Sequence, residues 1–414
     1  MDIDTDVDIE IFQGKYIDYT VEFRGRTVSP QVTTVSGSAV RTIEKKRVGF
    51  HYANMPCDQK TQVKKALQSA RISDMQYQWD ITFPGPQKYP PVKGICDSHI
   101  ENADITDVVE YCLTIVEGLE NYGISSKGVL CCKRSQFTLH TSTSLDVEEK
   151  STYFTLDMDV TTRETAVNVV KSCRLWDKNS EILVNTIREH CSWYNTKKKE
   201  FSNRFAFGSR ALYAVLRPLV WQISIDRVKR GISKVKAAHC IAGELFTLVD
   251  DGLYPNGVGT SLCDGEGIPS TKYSIIEKGV VTHFMYDHFR ALLDKTKSTG
   301  NAVRTSMMAP PKIAPRNLVV HEGDYALDEF TGILIEEVVN DKGANLVSGE
   351  YTFNVKRAFY VKKGEILGVV APFVLQGNTF DVLKYIYGVG TLEETPFPRY
   401  RELVTPYIFI QIPS

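Results

Sequence analysis

Val249-Asp250-Asp251-Gly252 opens the stretch whose reading decides the fold. It continues through Gly257-Val258-Gly259 to Asp264-Gly265-Glu266-Gly267-Ile268-Pro269, then Ile276-Glu277-Lys278-Gly279, and closes on Ser298-Thr299-Gly300-Asn301-Ala302-Val303-Arg304. Glycines at 252, 257, 259, 265, 267 and 279 supply turns at positive φ or close backbone approach. Residues 246–249 and 274–276 have the length of short buried strands, and Glu277-Lys278-Gly279 between two apolar runs reads as a hairpin tip. On residues alone this is a set of hairpins joined by acidic turns.

Outward from that stretch, the third unit, residues 203–414, is mostly β. Tyr351, Phe353 and Val355 alternate, Lys362-Lys363-Gly364-Glu365 reads as a hairpin turn, Asn378 caps a short helix, and residues 407–412 form an apolar closing strand. Two α/β modules precede it. In the first, residues 1–95, Ile17, Tyr19, Val21 and Phe23 alternate with polar residues as a half-buried strand. Further strands are expected over 31–43 and 47–54, then a helix capped by Asp58 that carries Val63, Ala66, Leu67 and Ala70, and a proline-rich loop over 71–93. In the second, residues 96–202, Asp104 caps a helix with Ile105, Val108, Val109, Cys112, Val116 and Leu119 at helical spacing. Strands follow over 128–141 and 151–162, then helices over 163–173 and 179–194, the latter with Ile182, Leu183, Ile187, His190 and Tyr194 on one side. Lys197-Lys198-Lys199 reads as a solvated loop at a boundary. The fold class is therefore α+β.

Length and charge bound the function. A chain of 414 residues divides into two or three domains. A net charge of −1 leaves no electrostatic footprint for nucleic acid or an anionic membrane. The most apolar run, 211–225, is interrupted by Arg217 and Pro218, so no bilayer-spanning helix is expected. Nine irregularly spaced cysteines point to reduced core thiols, and the acidic start lacks the pattern of a signal peptide; the expected compartment is the cytoplasm.

A strand ending Val-Asp-Asp-Gly, an acidic Glu-Gly-x-Pro turn, an Ile-Glu-x-Gly hairpin and a Ser/Thr-Gly-Asn-x-x-Arg segment, in that order, resemble the C-terminal domain of the TldD/PmbA (TldE) family. The positions that carry the likeness are Asp250, Asp251, Gly252, Asp264, Glu266, Gly267, Glu277, Gly279, Ser298, Thr299, Gly300, Asn301 and Arg304. One departure is Gly265, where the family usually has a second Asp. The resemblance implies cytoplasmic proteins linked to zinc-dependent proteolysis, in which a TldD-type subunit carries the metal and a TldE-type subunit pairs with it. The metal-bearing subunit has a His-Glu-x-x-x-His helix and a distant cysteine. Two imidazoles one helical turn apart plus a thiolate leave zinc an open position for water, with the Glu as general base.

In this chain that helix is expected within residues 211–236, which contain no histidine; His239 stands alone and Glu244 is not placed for the motif. Gly388-Val389-Gly390-Thr391 resembles the segment before the family's cysteine, and Leu392 follows. The resemblance therefore points to the TldE-type subunit, with no catalytic residue, metal ligand or cofactor of its own and zinc in a TldD-like partner. His283 and His288 flank Asp287 at a spacing unsuited to one ion, and Asp287 is expected to cap a helix over 289–294. His321-Glu322-Gly323 reads as a turn, Glu189-His190-Cys191 as core packing, and Cys131-Cys132 as opposite faces of a strand. Ser298-Thr299-Gly300 is read as a turn serine rather than a nucleophile, and Gly257-Val258-Gly259-Thr260 lacks a phosphate fingerprint. Asp250, Asp251, Asp264 and Glu266 are weighed as a hard-cation site and expected to be solvated turn carboxylates. The favoured function is a non-zinc subunit that shapes a chamber for unfolded peptide, as a heterodimer with the zinc-bearing subunit; the alternative is a homodimeric binding or scaffold protein.

Overall fold

The computed structural model describes residues 7–413 apart from 75, 195, 199, 201, 340 and 396. The N-terminal half is built on long strands: β1 (Asp8–Arg24), β2 (Thr27–Glu44), β3 (Arg47–Asn54), then helices α1 (Gln59–Ile72), α2 (Ser98–Asn102) and α3 (Ile105–Glu120), strands β4 (Ser125–Thr141), β5 (Asp146–Thr161) and β6 (Ala166–Cys173), and helix α4 (Ser180–Ser192). All six strands form one antiparallel sheet in the order β3-β2-β1-β4-β5-β6. The expected division at residue 95 thus runs through a single sheet, because β1 pairs along nearly its whole length with both β2 and β4. A long-range ladder of that kind leaves no signal at the boundary in the sequence itself.

Strand alternation decides what each face meets. Val21, Phe23, Leu130, Cys132, Phe154, Leu156 and Met158 face α3 and α4 and are buried with them. The Asp104 carboxylate accepts from the Thr106 and Asp107 amides and Asp107 answers with a reciprocal bond, a capping box at the start of α3. The Asp58 carboxylate caps α1 by accepting from the Lys60 and Thr61 amides. Residues 163–173, expected as a helix, are instead a turn followed by β6. Val167 and Val169 alternate into the core while the strand pairs with β5, so tertiary packing overrides local propensity. In α4, Leu183, Ile187 and His190 are buried as expected, but Ile182 is exposed.

The C-terminal half comprises β7 (Lys197–Lys198), β8 (Arg204–Phe207), α5 (Ser209–Gln222), α6 (Ile225–Lys229), β9 (Leu248–Asp251), β10 (Lys272–Glu277), β11 (Val280–Val281), α7 (His288–Asp294), β12 (Ala302–Val303), β13 (Lys312–Ile313), β14 (Leu318–Val320), β15 (Thr331–Val339), β16 (Glu350–Lys362), β17 (Glu365–Val370), β18 (Phe373–Asn378), α8 (Thr379–Val382), β19 (Ile386–Val389), β20 (Arg399–Tyr400), β21 (Leu403–Val404) and β22 (Ile408–Gln411). Among the described residues these strands make a sheet ordered β11-β10-β9-β14-β21-β20 and a larger one ordered β19-β22-β8-β15-β16-β17-β7, with β18 on β16. Lys197 and Lys198, expected in a loop, pair with Val369 and Val370 at the edge of the larger sheet. Helix α5 has Leu212, Val215, Leu216 and Leu219 at helical spacing, and they lie in one core with residues of both sheets. The hairpin tips at Lys278-Gly279 and Lys363-Gly364 take positive φ at both residues, as their turns require.

Candidate functional site

Four of the acidic motif residues, expected in solvated turns, are buried, whereas Glu277 is exposed at its hairpin tip. Asp250, Asp251, Asp264 and Glu266 are at most 5% exposed. Asp250 and Asp251 end strand β9, one residue pair beyond the apolar segment that marked it in the sequence. Asp250 Oδ1 accepts the Arg316 amide at 2.9 Å and Oδ2 accepts from the Asn301 side-chain amide. Asn301 also donates to Ala314 O at 2.9 Å and accepts from the Tyr273 and Thr299 hydroxyls. Asp264 Oδ1 accepts from the amides of Glu266 and Ile268, and Oδ2 from that of Ala302 at 3.0 Å. Asp251 Oδ1 caps Leu253, Ser298 Oγ donates to Tyr286 O, and Thr299 Oγ1 accepts the Tyr286 amide. Gly267 and Gly300 sit at φ of 84° and 74°, and a Cβ on Gly267 would press on Leu145. Gly252 donates its amide to Thr271 O, closing the turn that follows β9.

These bonds gather the motif residues from 250–252, 264–267 and 298–304 into one buried knot. Glu277 and Gly279 are elsewhere, at the far end of β10, where Gly279 packs on the backbone of Ala242. Burial pushes the Asp250 carboxyl up to about 6, and burial with the nearby Glu266 charge pushes Asp264 up to about 7.

Beside the knot lies a second buried network that reaches the N-terminal sheet. Arg41 Nε donates to Glu10 Oε1 at 2.8 Å and Nη1 to Glu266 Oε1 at 2.9 Å. Arg304 donates to Gly265 O at 2.7 Å and pairs with Glu10, and Glu266 Oε2 accepts the His288 amide. Burial alone would raise the Glu10 carboxyl; the Arg41 and Arg304 guanidiniums outweigh it and hold it below its ordinary value. Two cations thus balance two anions, and Arg41 also lies over the Phe83 and Phe289 rings. Glu10 and Arg41 went unread in the sequence. The available signal was that Glu10 is in phase with Phe12 and Arg41 with Ala39, both facing inward.

Between the knot and the exposed face of the N-terminal sheet is a cleft of about 490 Å³, floored by Phe12, Tyr16, Ser135, Phe137 and Tyr153 and walled by the 258–265 and 303–307 loops. Three buried side chains clamp the nearer loop. Arg174 donates to Gly257 O and Thr260 O, Arg316 to Gly259 O and Cys263 O, and Glu149 Oε2 accepts from Ser261 Oγ and the Leu262 amide.

The other candidates stay separate. His283 Nδ1 meets Ser274 O at 2.9 Å and His288 Nε2 meets Thr82 O at 3.1 Å, while Asp287 caps α7 through the Arg290 amide. His190 is packed against Trp193 and Phe397, and burial lowers its pKa to about 3. Glu322 accepts the Leu392 amide, and Gly323 donates to Gly390 O at 3.0 Å. Cys132 is buried and Cys131 lies on the cleft face. Among the described residues no three His, Cys, Asp or Glu side chains gather as a metal-holding group. The acidic motif residues do not fit a cation, because the oxygens of Asp264 and Asp250 already accept amide protons. No described helix is long and apolar enough to cross a membrane.

Comparison with known proteins gives the same placement. A family model described as the PmbA/TldA metallopeptidase C-terminal domain matches residues 204–412. An uncharacterised protein of Methanocaldococcus jannaschii is 28% identical over 392 residues, 93% of this chain and 92% of its own length. A metalloprotease TldD homolog of Buchnera aphidicola is 32% identical over 154 residues, which span 36% of this chain and 32% of that protein. The crystal structure of TldE from Thermococcus kodakarensis superposes with a TM-score of 0.84 at 21% identity, covering 98% of this chain and 95% of that one. A putative modulator of DNA gyrase from Thermotoga maritima superposes at 0.87 with 18% identity over 98% and 95% of the two chains, and both structures share the fold. The knot, the fold and the matched C-terminal half together place this chain in the PmbA/TldD metallopeptidase family.

Proposed function

We propose that this chain is the subunit of a metallopeptidase pair that holds no zinc, and that it acts by completing a chamber around unfolded peptide. The observation that carries the reading is the chemistry of α5. This helix, Ser209–Gln222, overlaps the window 211–236 where the resemblance leads one to expect the metal helix, and its half-buried side offers Tyr213, Arg217 and Val220 in place of two imidazoles and a carboxylate. Leu392 stands where a thiolate would follow Gly390-Thr391. Water activation by zinc needs nitrogen or sulfur donors with an open coordination position, and these side chains supply neither. The zinc and general base of the pair belong on this reading to a TldD-like partner in the cytoplasm. This chain contributes walls and strand edges that hold extended backbone with little sequence preference.

The test is co-expression with a zinc-bearing TldD-type chain, size-exclusion chromatography, and cleavage of an unstructured peptide with and without chelator. Co-elution with chelator-sensitive cleavage supports the reading. A stable homodimer that ignores the partner favours a scaffold role instead, and chelator-resistant cleavage by this chain alone sinks both.

A further inference from the structure

The geometry points to a binding site for a small zwitterion with an apolar body, a free α-amino acid in chemical class, in the cleft between the N-terminal sheet and the 257–263 loop. The clamp that fixes this loop leaves hydrogen-bonding capacity of both signs unused. Arg316 is 8% exposed. It donates through Nε to Gly259 O and through Nη1 to Cys263 O and Gly300 O. Its Nη2 has no partner among the described residues, yet it is not sealed from solvent as Arg304 Nη1 is. Neither Arg316 nor Arg174 makes an ion pair with a carboxylate among the described residues, although both line the cleft. Arg316 acts on Asp250 and Asp264 across space but touches neither with its guanidinium, so a carboxylate ligand at Nη2 gains a charge-assisted bond that the fold leaves unmade.

The same wall carries the complementary group. Glu149, 5% exposed, accepts both of its bonds at Oε2. Oε1 has no donor and is likewise not sealed. A simple anion would meet this carboxylate and be repelled; a ligand that carries an ammonium beside its carboxylate satisfies both groups. Asp264 does not compete for that ammonium, because both its oxygens already accept backbone amides. Lys133 is engaged by Asp18 and lies over Tyr16, whereas Lys15 at the rim makes no ion pair among the described residues. Phe12 and Phe137 of the floor and Met307 of the wall offer an apolar lining, and the volume of about 490 Å³ is in the range of small-molecule sites. This site is independent of the zinc question, since none of its residues lies on α5.

L-phenylalanine, phenylacetate and phenylethylamine serve as probes in isothermal titration with the full chain, because the second lacks the ammonium and the third the carboxylate. Phenylalanine should bind saturably, with each truncated probe weaker by about tenfold, the loss of one charge-assisted contact. Glu149→Gln keeps an acceptor for Ser261 and Leu262; it should weaken phenylalanine about tenfold and leave phenylacetate unchanged or improved. Ser135→Trp, which fills the floor without touching the clamp, should abolish binding of all three in a chain whose melting shows it folded. Absence of saturable binding, equal affinity for the three probes, or binding indifferent to Ser135→Trp would overturn the assignment.

Discussion

The motif knot and the ion cluster beside it are both buried and both polar, but they solve burial in opposite ways. In the knot, Asp250 and Asp264 are satisfied by backbone and side-chain amides, with no cation in hydrogen-bond contact among the described residues, and burial raises their pKa values to about 6 and about 7. In the cluster, Glu10 is satisfied by two guanidiniums and its carboxyl is held low. The amide-held carboxylates take their donors from the C-terminal half, up to 66 residues away in sequence. Charge-held carboxylates need partners from other elements, so the cluster joins β1 and β2 to the loop between β9 and β10 and to the segment after β12. The difference assigns roles: the knot shapes the C-terminal loops, and the cluster fastens the N-terminal sheet to them.

The largest effect that separates the two should come from removing the cation shared by Glu10 and Glu266. Arg41→Met leaves both carboxylates buried without it and should destabilise the chain by about 3–5 kcal/mol, read from urea unfolding. A loss below about 1 kcal/mol would mean that Arg304 alone holds the junction. Asn301→Ala removes a neutral hub from the knot and should cost less, about 1–3 kcal/mol, because Asp250 Oδ2, the Tyr273 hydroxyl and Ala314 O each lose one partner.

The smallest effect is the most discriminating, since the two regions should titrate with opposite sign. Asp264 has a folded pKa raised above its unfolded value, so its contribution is present at low pH and lost as pH rises from about 4 through about 7. Glu10 has a folded pKa below its unfolded value, so its contribution is present above about 4 and lost as pH falls. His190, neutral in the fold, also destabilises on acidification below about 6.5 and would mask the carboxylate slope in a single profile. The comparison to make is therefore Asp264→Asn against the unchanged chain. The difference in stability between them should shift in favour of the variant as pH rises from 5 to 8. A difference flat across that range would remove Asp264 from the account.

The same contrast explains what could be read in advance. Asp250, Gly252, Asp264, Gly267 and Asn301 lie within one stretch, and the order of their motifs carried the resemblance to the C-terminal domain, but nothing in that order said that they meet. Their burial was not legible, because an acidic residue beside glycine looks like a solvated turn until the chain returns over it. Glu10 and Arg41 were invisible for a related reason: besides each other, their partners Glu266 and Arg304 lie more than two hundred residues away. Strand β6 was misread because Ala166–Cys173 becomes a strand only when β5 offers an edge to pair with. The helices over 59–72 and 105–120 were legible because their caps and apolar spacing are local.

The central claim is that this family member supplies no zinc site, and metal content of the separated chains tests it most directly. The chain would be co-expressed with a TldD-type chain, and the two purified, resolved, dialysed against buffer and analysed for zinc. The account predicts about one zinc per partner chain and none retained by this chain, with peptide cleavage lost when the partner's metal is stripped. Stoichiometric zinc on this chain, released by replacing His283 or His288 with alanine, would contradict it.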